Sequence, residues 1–356
     1  MARPIAMERL LMRHPLAPLA PLAPFVPLGA LACAAALLAT GCSTGPSPSA
    51  GPRHAAASSA ASPVAAKGPA EVGANELGQV PVLMYHQLTE DPASVYDRTP
   101  ADFRAELERL AREGYVPVTA RDFQTGRIDI PAGTHPVVLT FDDSTNSQVR
   151  LGPDGRPVPD TAVAILAETA KKYPAFKPVA TFFVNADAFS ATGSAKALAW
   201  LKEHGHEVAN HTGRHENLRS LDQADAARAI SAGQEAIERA VPGTQVTSLA
   251  LPFGAMPRPA GLATRGTGYR YDGVYLVGAN PSVSPFAKAF TPGAIPRIRS
   301  AGHDDEDAEF GSSHWLDELA AGKSRYTSDG DPNTVAFPSA SQDELSPAFA
   351  KRARPY

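Results

Sequence analysis

Two adjacent carboxylates, Asp142 and Asp143, interrupt the stretch His135–Asn146, and two imidazoles, His211 and His215, stand four residues apart further along the chain. Val137, Val138, Leu139 and Phe141 make a short apolar run with β-branched members, which predicts a buried strand that ends at the Asp pair. Neighbouring carboxylates at such a strand end repel each other, so the pair is stable when one is protonated or a cation lies between them. The competing reading is an Asp-Asp turn whose second member caps a helix. The segment Asn210–His215 follows the strand-like Glu207-Val208-Ala209, and the four-residue spacing places both imidazoles on one face of a helical turn, able to bind one ion. Taken alone, that pair also fits a solvated helix. Two His and one carboxylate with positions left for water describe an open catalytic site, and these donors suit zinc, iron, cobalt or nickel.

Thr140-Phe141-Asp142-Asp143, followed by His211-Thr212-Gly213-Arg214-His215, resembles the first two signatures of the polysaccharide deacetylases, carbohydrate esterase family four with the NodB-homology domain. Leu251-Pro252-Phe253-Gly254 resembles the third, and the resemblance spans Val80 to Arg299. It implies an α/β fold, a distorted (β/α) barrel with seven strands, and a metal-dependent hydrolase that removes N-acetyl groups from an envelope or extracellular polysaccharide. It further implies a divalent metal, zinc before nickel, cobalt or iron, on Asp143, His211 and His215. Asp142 would be the catalytic base and the backbone N–H of Phe253 a donor to the oxyanion. The opening Val80–His86 resembles the branch that acts on poly-N-acetylglucosamine, which implies His86 as general acid; from the residues alone His86 also fits a hydrogen-bonded core histidine. Chitin-like and peptidoglycan glycans are equally admissible substrates.

Two positions depart from the family pattern. Ser144 replaces a usual Gly, and Ala250 stands where many members carry an Arg that orients the catalytic Asp. Arg297 is a candidate replacement or a buried ion-pair partner, and Asp272 a weaker candidate for tuning the acid. An esterase acting on O-acetyl glycans would need the same site, whereas a non-catalytic glycan-binding lipoprotein would use the groove alone. No His-Glu-x-x-His occurs, which disfavours a metalloprotease.

The elements that must position these groups alternate strand and helix, which predicts a parallel sheet or barrel with functional loops at the C-terminal strand ends. Strand-like runs are Val80–His86, Val116–Val118, Val179–Val184, Glu207–Ala209, Val246–Leu251, Gly273–Val277 and Ile295–Ile298; helices are expected over 103–111, 161–173, 195–204 and 221–240. Gly114 stops the first helix, and Ser220 or Asp222 caps the last. The acidic run Asp304–Asp307 reads as a solvated helix start.

The 356 residues, 43% hydrophobic, suffice for one catalytic domain, placed at 79–321, with appended segments. A net charge of −4 provides no basic field for nucleic acid. Residues 1–42 read as a signal segment: Arg3, Arg9 and Arg13 open it, and an apolar stretch too short to span a membrane leads to Leu37–Cys42. That end resembles a lipoprotein signal with Cys42 lipidated, which implies an exported protein anchored to a membrane of the cell envelope; an ordinary signal peptide cleaved nearby is the alternative, and the atypical length and prolines of the segment point to translation starting at Met7 or Met12. Residues 43–78 are rich in Ser, Pro, Ala and Gly and read as a flexible tether, and 322–356 as a polar C-terminal tail on which no structure is forced.

Overall fold

A computed structural model describes residues 68–322 and 324–356. The expected signal segment with Cys42, and the tether as far as residue 67, lie outside the described residues. Among the described residues no helix is long and apolar enough to cross a membrane.

In chain order the elements are α1 Pro69–Val72, β1 Val82–Tyr85, α2 Pro100–Arg112, β2 Tyr115–Val118, α3 Ala120–Gln124, β3 His135–Phe141, α4 Ala162–Lys172, β4 Thr181–Val184, α5 Ser194–Glu203, β5 Glu207–Asn210, α6 Gln223–Ala240, β6 Ser248–Ala250, the short hairpin β7 Arg265–Gly266 and β8 Tyr269–Arg270, β9 Gly273–Tyr275, β10 Ile298–Arg299, α7 Ser312–Ala321, β11 Val335–Phe337 and β12 Ala353–Pro355. The main sheet runs β10-β1-β3-β4-β5-β6-β9, parallel throughout, with β2 added on β3. Ile295 bridges Tyr275 of β9 while Ile298 pairs with Leu83 of β1, so one segment joins both ends of the path. The result is the expected distorted (β/α) barrel of seven strands in a single domain.

Both faces of these strands are covered, which is why they read as nearly continuous apolar runs. Alternate residues go to opposite sides. Val137, Leu139 and Phe141 join Phe182, Val208 and the helix residues Leu107, Ile165 and Ile230 in the outer layer; Val138, Phe183, Ala209, Ala250 and Tyr275 fill the barrel interior. Carried past the strand ends, the inward register Val138–Thr140 reaches Asp142, Val82–Met84 reaches His86, and Ala209 reaches His211. Period two therefore aims three of the candidate side chains into one mouth.

Helix boundaries follow their capping chemistry. Thr99 caps α2 by accepting from the Asp102 N–H, and Asp222 caps α6 by accepting from that of Asp225. Gly233 in α6 lies so near the 210–212 turn that a Cβ would overlap Asn210 Oδ1; the absent side chain lets helix and site loop touch.

Three expectations are corrected. Residues 324–356 are not a free tail: Tyr326, Val335 and Phe337 are buried in the interior cluster, and β11 pairs in parallel with β12. A few well-placed apolar residues hold this polar stretch. Residues 68–78, assigned to the tether, likewise pack, with Ala74, Glu76 and Leu77 buried and the Glu76 carboxylate accepting from the Ala336 N–H at 2.8 Å. The acidic run Asp304–Asp307 opens only a single 3-10 turn, Ala308–Phe310, rather than a solvated α-helix; Asp305 pairs with Arg98, and α7 begins at Ser312.

Candidate functional site

Asp143, His211 and His215 converge. His211 Nε2 and His215 Nε2 each stand 3.4 Å from Asp143 Oδ1, and one ligand atom from each residue lies within 4.8 Å of the others. The arrangement is not the expected helical turn. His211–His215 is an irregular turn with Thr212 at φ 66° and His215 at φ 57°, and Asp143 itself has φ 71°. Non-glycine residues at positive φ are uncommon and concentrate where the surroundings over-determine the backbone.

The donor chemistry fits a metal. His211 Nδ1 donates to the Ala250 carbonyl at 2.9 Å, which leaves Nε2 as the lone-pair nitrogen facing Asp143. His211 Nε2 and Asp143 Oδ1 are buried atoms that have no hydrogen-bond partner, and such orphaned groups need an explanation that a cation would supply. In the metal-free protein burial opposes charge on His211, but Asp142 and Asp143 outweigh it and raise its pKa. Burial likewise pushes the Asp143 carboxyl up, and the His211 imidazole 3.4 Å away brings it below its ordinary value.

Asp142 is held differently. Arg297, fully buried, grips it bidentately: Nη1 donates to Oδ1 and Nη2 to Oδ2, each at 2.7 Å, while Nη1 also reaches Thr140 Oγ1 at 3.1 Å. Of the two readings of Arg297 the structure shows both at once, an ion-pair partner that fixes the Asp142 plane. Burial alone would raise the Asp142 pKa; the Arg297 and His211 charges reverse this and hold it well below the usual carboxylate range. Ala250, where an Arg was expected, supplies the carbonyl that orients His211.

His86 Nε2 lies 4.0 Å from Asp142 Oδ2, and its ring packs on Tyr96 with centroids 4.8 Å apart. Burial pushes its pKa down although Asp142 and Asp143 pull it up. The hydrogen-bonded core reading does not hold, because Nδ1 is buried without a partner. Phe253 follows Pro252 at φ 59°, and its ring packs edge-on against His215 at 4.5 Å. Asp272 is displaced from the site: it is exposed and immediately precedes β9, at the N-terminal end of the barrel.

Ser144 sits at φ 50°, which accounts for the glycine usual there, and the conformation is held by its side chain, since Ser144 Oγ accepts from the Asn185 N–H at 3.1 Å. Two amides were not singled out in the sequence. Asn185 Nδ2 donates to the His211 carbonyl at 2.7 Å, so one residue ties the Asp143 loop to the His211 loop. Gln148 Nε2 donates to the carbonyls of His86 and Asp142, joining β1 and β3 at their ends. A side-chain amide bonded to backbone carbonyls leaves no periodicity or motif by which to find it.

A family model described as polysaccharide deacetylase matches residues 129–271. Among solved structures, BA0330 of Bacillus anthracis, described as a polysaccharide deacetylase, is 21% identical with a TM-score of 0.50, covering 65% of this chain and 67% of that one. The deacetylase PplD of Streptococcus pyogenes, solved with acetate, is 20% identical with a TM-score of 0.50 over 65% of this chain and 96% of its own. IcaB of Ammonifex degensii is 18% identical with a TM-score of 0.48, covering 69% and 98%. No curated protein matches by sequence. The segment that matches the polysaccharide deacetylase model carries both the Asp pair and the His pair, and the barrel that holds them is shared with BA0330 and PplD.

Proposed function

We propose that this chain is a metal-dependent hydrolase that removes N-acetyl groups from an envelope or extracellular polysaccharide such as poly-N-acetylglucosamine, a chitin-like polymer or a peptidoglycan glycan. The observation that carries the reading is the pair of orphaned buried atoms, Asp143 Oδ1 and His211 Nε2, facing each other beside an aspartate already neutralised by Arg297. Asp143, His211 and His215 would hold the metal, most suitably zinc, which polarises a carbonyl and lowers the pKa of a water when bound.

The remaining work falls to side chains. Asp142, fixed in plane by Arg297 and ionised throughout the neutral range, accepts the proton of the attacking water. His86, 4.0 Å from that carboxylate, passes a proton to the departing amine, so the proton lost by water ends on the nitrogen. The Phe253 backbone N–H is the second donor to the oxyanion, a contribution of about 3 kcal/mol for a donor so placed. PplD was solved with acetate, the acid that such a reaction would release. Export through the N-terminal segment, with Cys42 lipidated, would bring the domain to its polymer.

The test is acetate release from N-acetylglucosamine oligomers by the purified protein, with and without chelator, beside Asp142→Asn. Release that survives complete metal removal, or that persists in the Asn variant, overturns the mechanism.

A further inference from the structure

His86, the proposed general acid, has a partner on one side of its ring only. Nε2 faces Asp142 Oδ2 at 4.0 Å, while Nδ1 is buried without a hydrogen bond. Asp272, which the sequence suggested for tuning the acid, is exposed at the other end of the barrel. A histidine that gives up a proton from Nε2 keeps one on Nδ1, so the site needs an acceptor there.

Gln148 is fully buried, and its Nε2 donates to the His86 carbonyl at 2.9 Å and to the carbonyl of Asp142. Both partners are acceptors, which fixes the orientation of the amide and leaves Oε1 as a buried acceptor with nothing to accept. The residue before it holds the same segment, since Ser147 Oγ accepts from the Leu88 N–H at 2.9 Å. The clamp is itself anchored: the carbonyls of Ser147 and Gln148 accept from the N–H groups of Ala162 and Val163 at the start of α4. The loop that opens with Asp142 and Asp143 therefore grips the segment carrying His86 at two points. A methionine of the same length would fill the volume without burying an unmet oxygen, so the amide is explained by what it bonds rather than by the space it takes.

We propose that Gln148 is the positioning residue of the general acid: Nε2 fixes the His86 backbone against that of Asp142, and Oε1 is the acceptor for the Nδ1–H of the imidazolium. This rests on the deacetylase reading, in which His86 hands a proton to the departing amine. The bond from Nδ1 to Oε1 closes as substrate loads, because hydrogen bonds of catalytic groups are often long in an empty site and tighten in the complex. With Nδ1–H held there, the proton leaves from Nε2 as the carbon–nitrogen bond breaks. The neutral ring keeps its Nδ1 proton, and Nε2 is recharged from Asp142, the group that took the proton of the water.

The experiment exploits the leaving group. Wild type, Gln148→Met, His86→Ala and the double variant are compared, as full chains loaded with zinc, on the pentamer of N-acetylglucosamine and on 4-nitrophenyl acetate, whose phenolate departs without a proton. For Gln148→Met, kcat on the pentamer should fall about 10–100-fold with KM unchanged, while ester hydrolysis and zinc affinity stay within about two-fold. The double variant should be no slower on the pentamer than His86→Ala alone, as for two residues acting as one unit. An unchanged pentamer kcat, an equal fall on both substrates, or losses that multiply in the double variant overturn the proposal. Should the methionine variant fail to fold, Gln148→Asn, polar but one methylene too short to reach, carries the same expectations. If wild type cleaves neither substrate, the deacetylase reading fails on its own, and the clamp is read from nitrogen NMR of the imidazoles. In Gln148→Met the His86 ring signals should then move while those of His211 and His215 stay; His86 signals that stay in place overturn the clamp as well.

Discussion

The two ends of this barrel both bury carboxylates, and they treat them in opposite ways. At the N-terminal end Glu207 accepts from Ser248 Oγ at 2.6 Å, Thr181 Oγ1 at 2.9 Å and the Arg121 N–H at 2.8 Å, and beside it Tyr275 donates to Gln124 Oε1. At the C-terminal end Asp143 Oδ1 and His211 Nε2 face each other without a hydrogen-bond partner, and Asp143, Thr212 and His215 stand on backbone at positive φ. A buried polar group that is fully bonded contributes to one well-defined packing; one left short marks where the protein expects something from outside. Burial alone therefore does not separate structural from functional acids, and the partner count does.

The largest consequence falls on Asp142, which ends the inward register of β3. Asp142→Asn keeps the shape but removes the charge that Arg297 and His211 surround, and acetate release should fall by about 10²–10⁴-fold, the scale of a lost acid–base group. Arg297→Lys should also lose activity through Asp142, because one ammonium cannot reproduce the two parallel bonds. A single-turnover rate for each variant checks both.

The far end should dominate stability against acid. His135 at the start of β3 and His206 just before β5 are pushed by burial to about 4, below the ordinary 6.5 of imidazole. Both are neutral when folded and charge readily when unfolded, so their contribution is complete above 6.5, shrinks as pH falls toward 4, and is flat below that. Each accounts for up to about 3 kcal/mol of that loss. Urea unfolding between neutral pH and pH 4.5 should show the slope, and His206→Gln should flatten part of it while the pH profile of acetate release keeps its shape.

Metal sharpens the contrast from the other side. Zinc added to the metal-free protein at about a hundred times its dissociation constant should stabilise the fold by about 2.7 kcal/mol. His211→Ala should abolish that increment, whereas Glu207→Gln should retain it. Glu207→Gln should instead lower stability by about 1–3 kcal/mol, since an amide nitrogen replaces an oxygen that accepts, and leave kcat unchanged. Thermal melts with and without zinc distinguish these outcomes.

What the sequence could reveal follows from which interactions leave a pattern in it. The barrel was legible because strands covered on both faces are apolar throughout and alternate with amphipathic helices, and α6 began at the Asp222 cap. The triad was legible through residue type and order, although the helical turn assumed for His211 and His215 was wrong. Side chains that act across the chain were harder: Arg297 reaches Asp142 from a distant segment, and Gln148 and Asn185 work through backbone carbonyls. Composition misled at the C-terminus, where Tyr326 and Phe337 outweigh their polar neighbours because they join the buried cluster that includes Val138, Phe183 and Tyr275.

The smallest effect concerns strain at the rim. Ser144 occupies φ 50°, and its hydroxyl accepts from Asn185, so two opposing terms meet in one residue. Replacement by Gly relieves about 1 kcal/mol of left-handed backbone cost. The same change forfeits a hydrogen bond of similar size, about 1 kcal/mol, so Ser144→Gly should be within about 1 kcal/mol of wild type. Ser144→Ala keeps the Cβ and loses the bond, and should fall below the Gly variant by about 1 kcal/mol. If alanine instead equals glycine in urea unfolding, the rim backbone is relaxed at this position, and the contrast between the two ends would rest on the unpaired atoms alone.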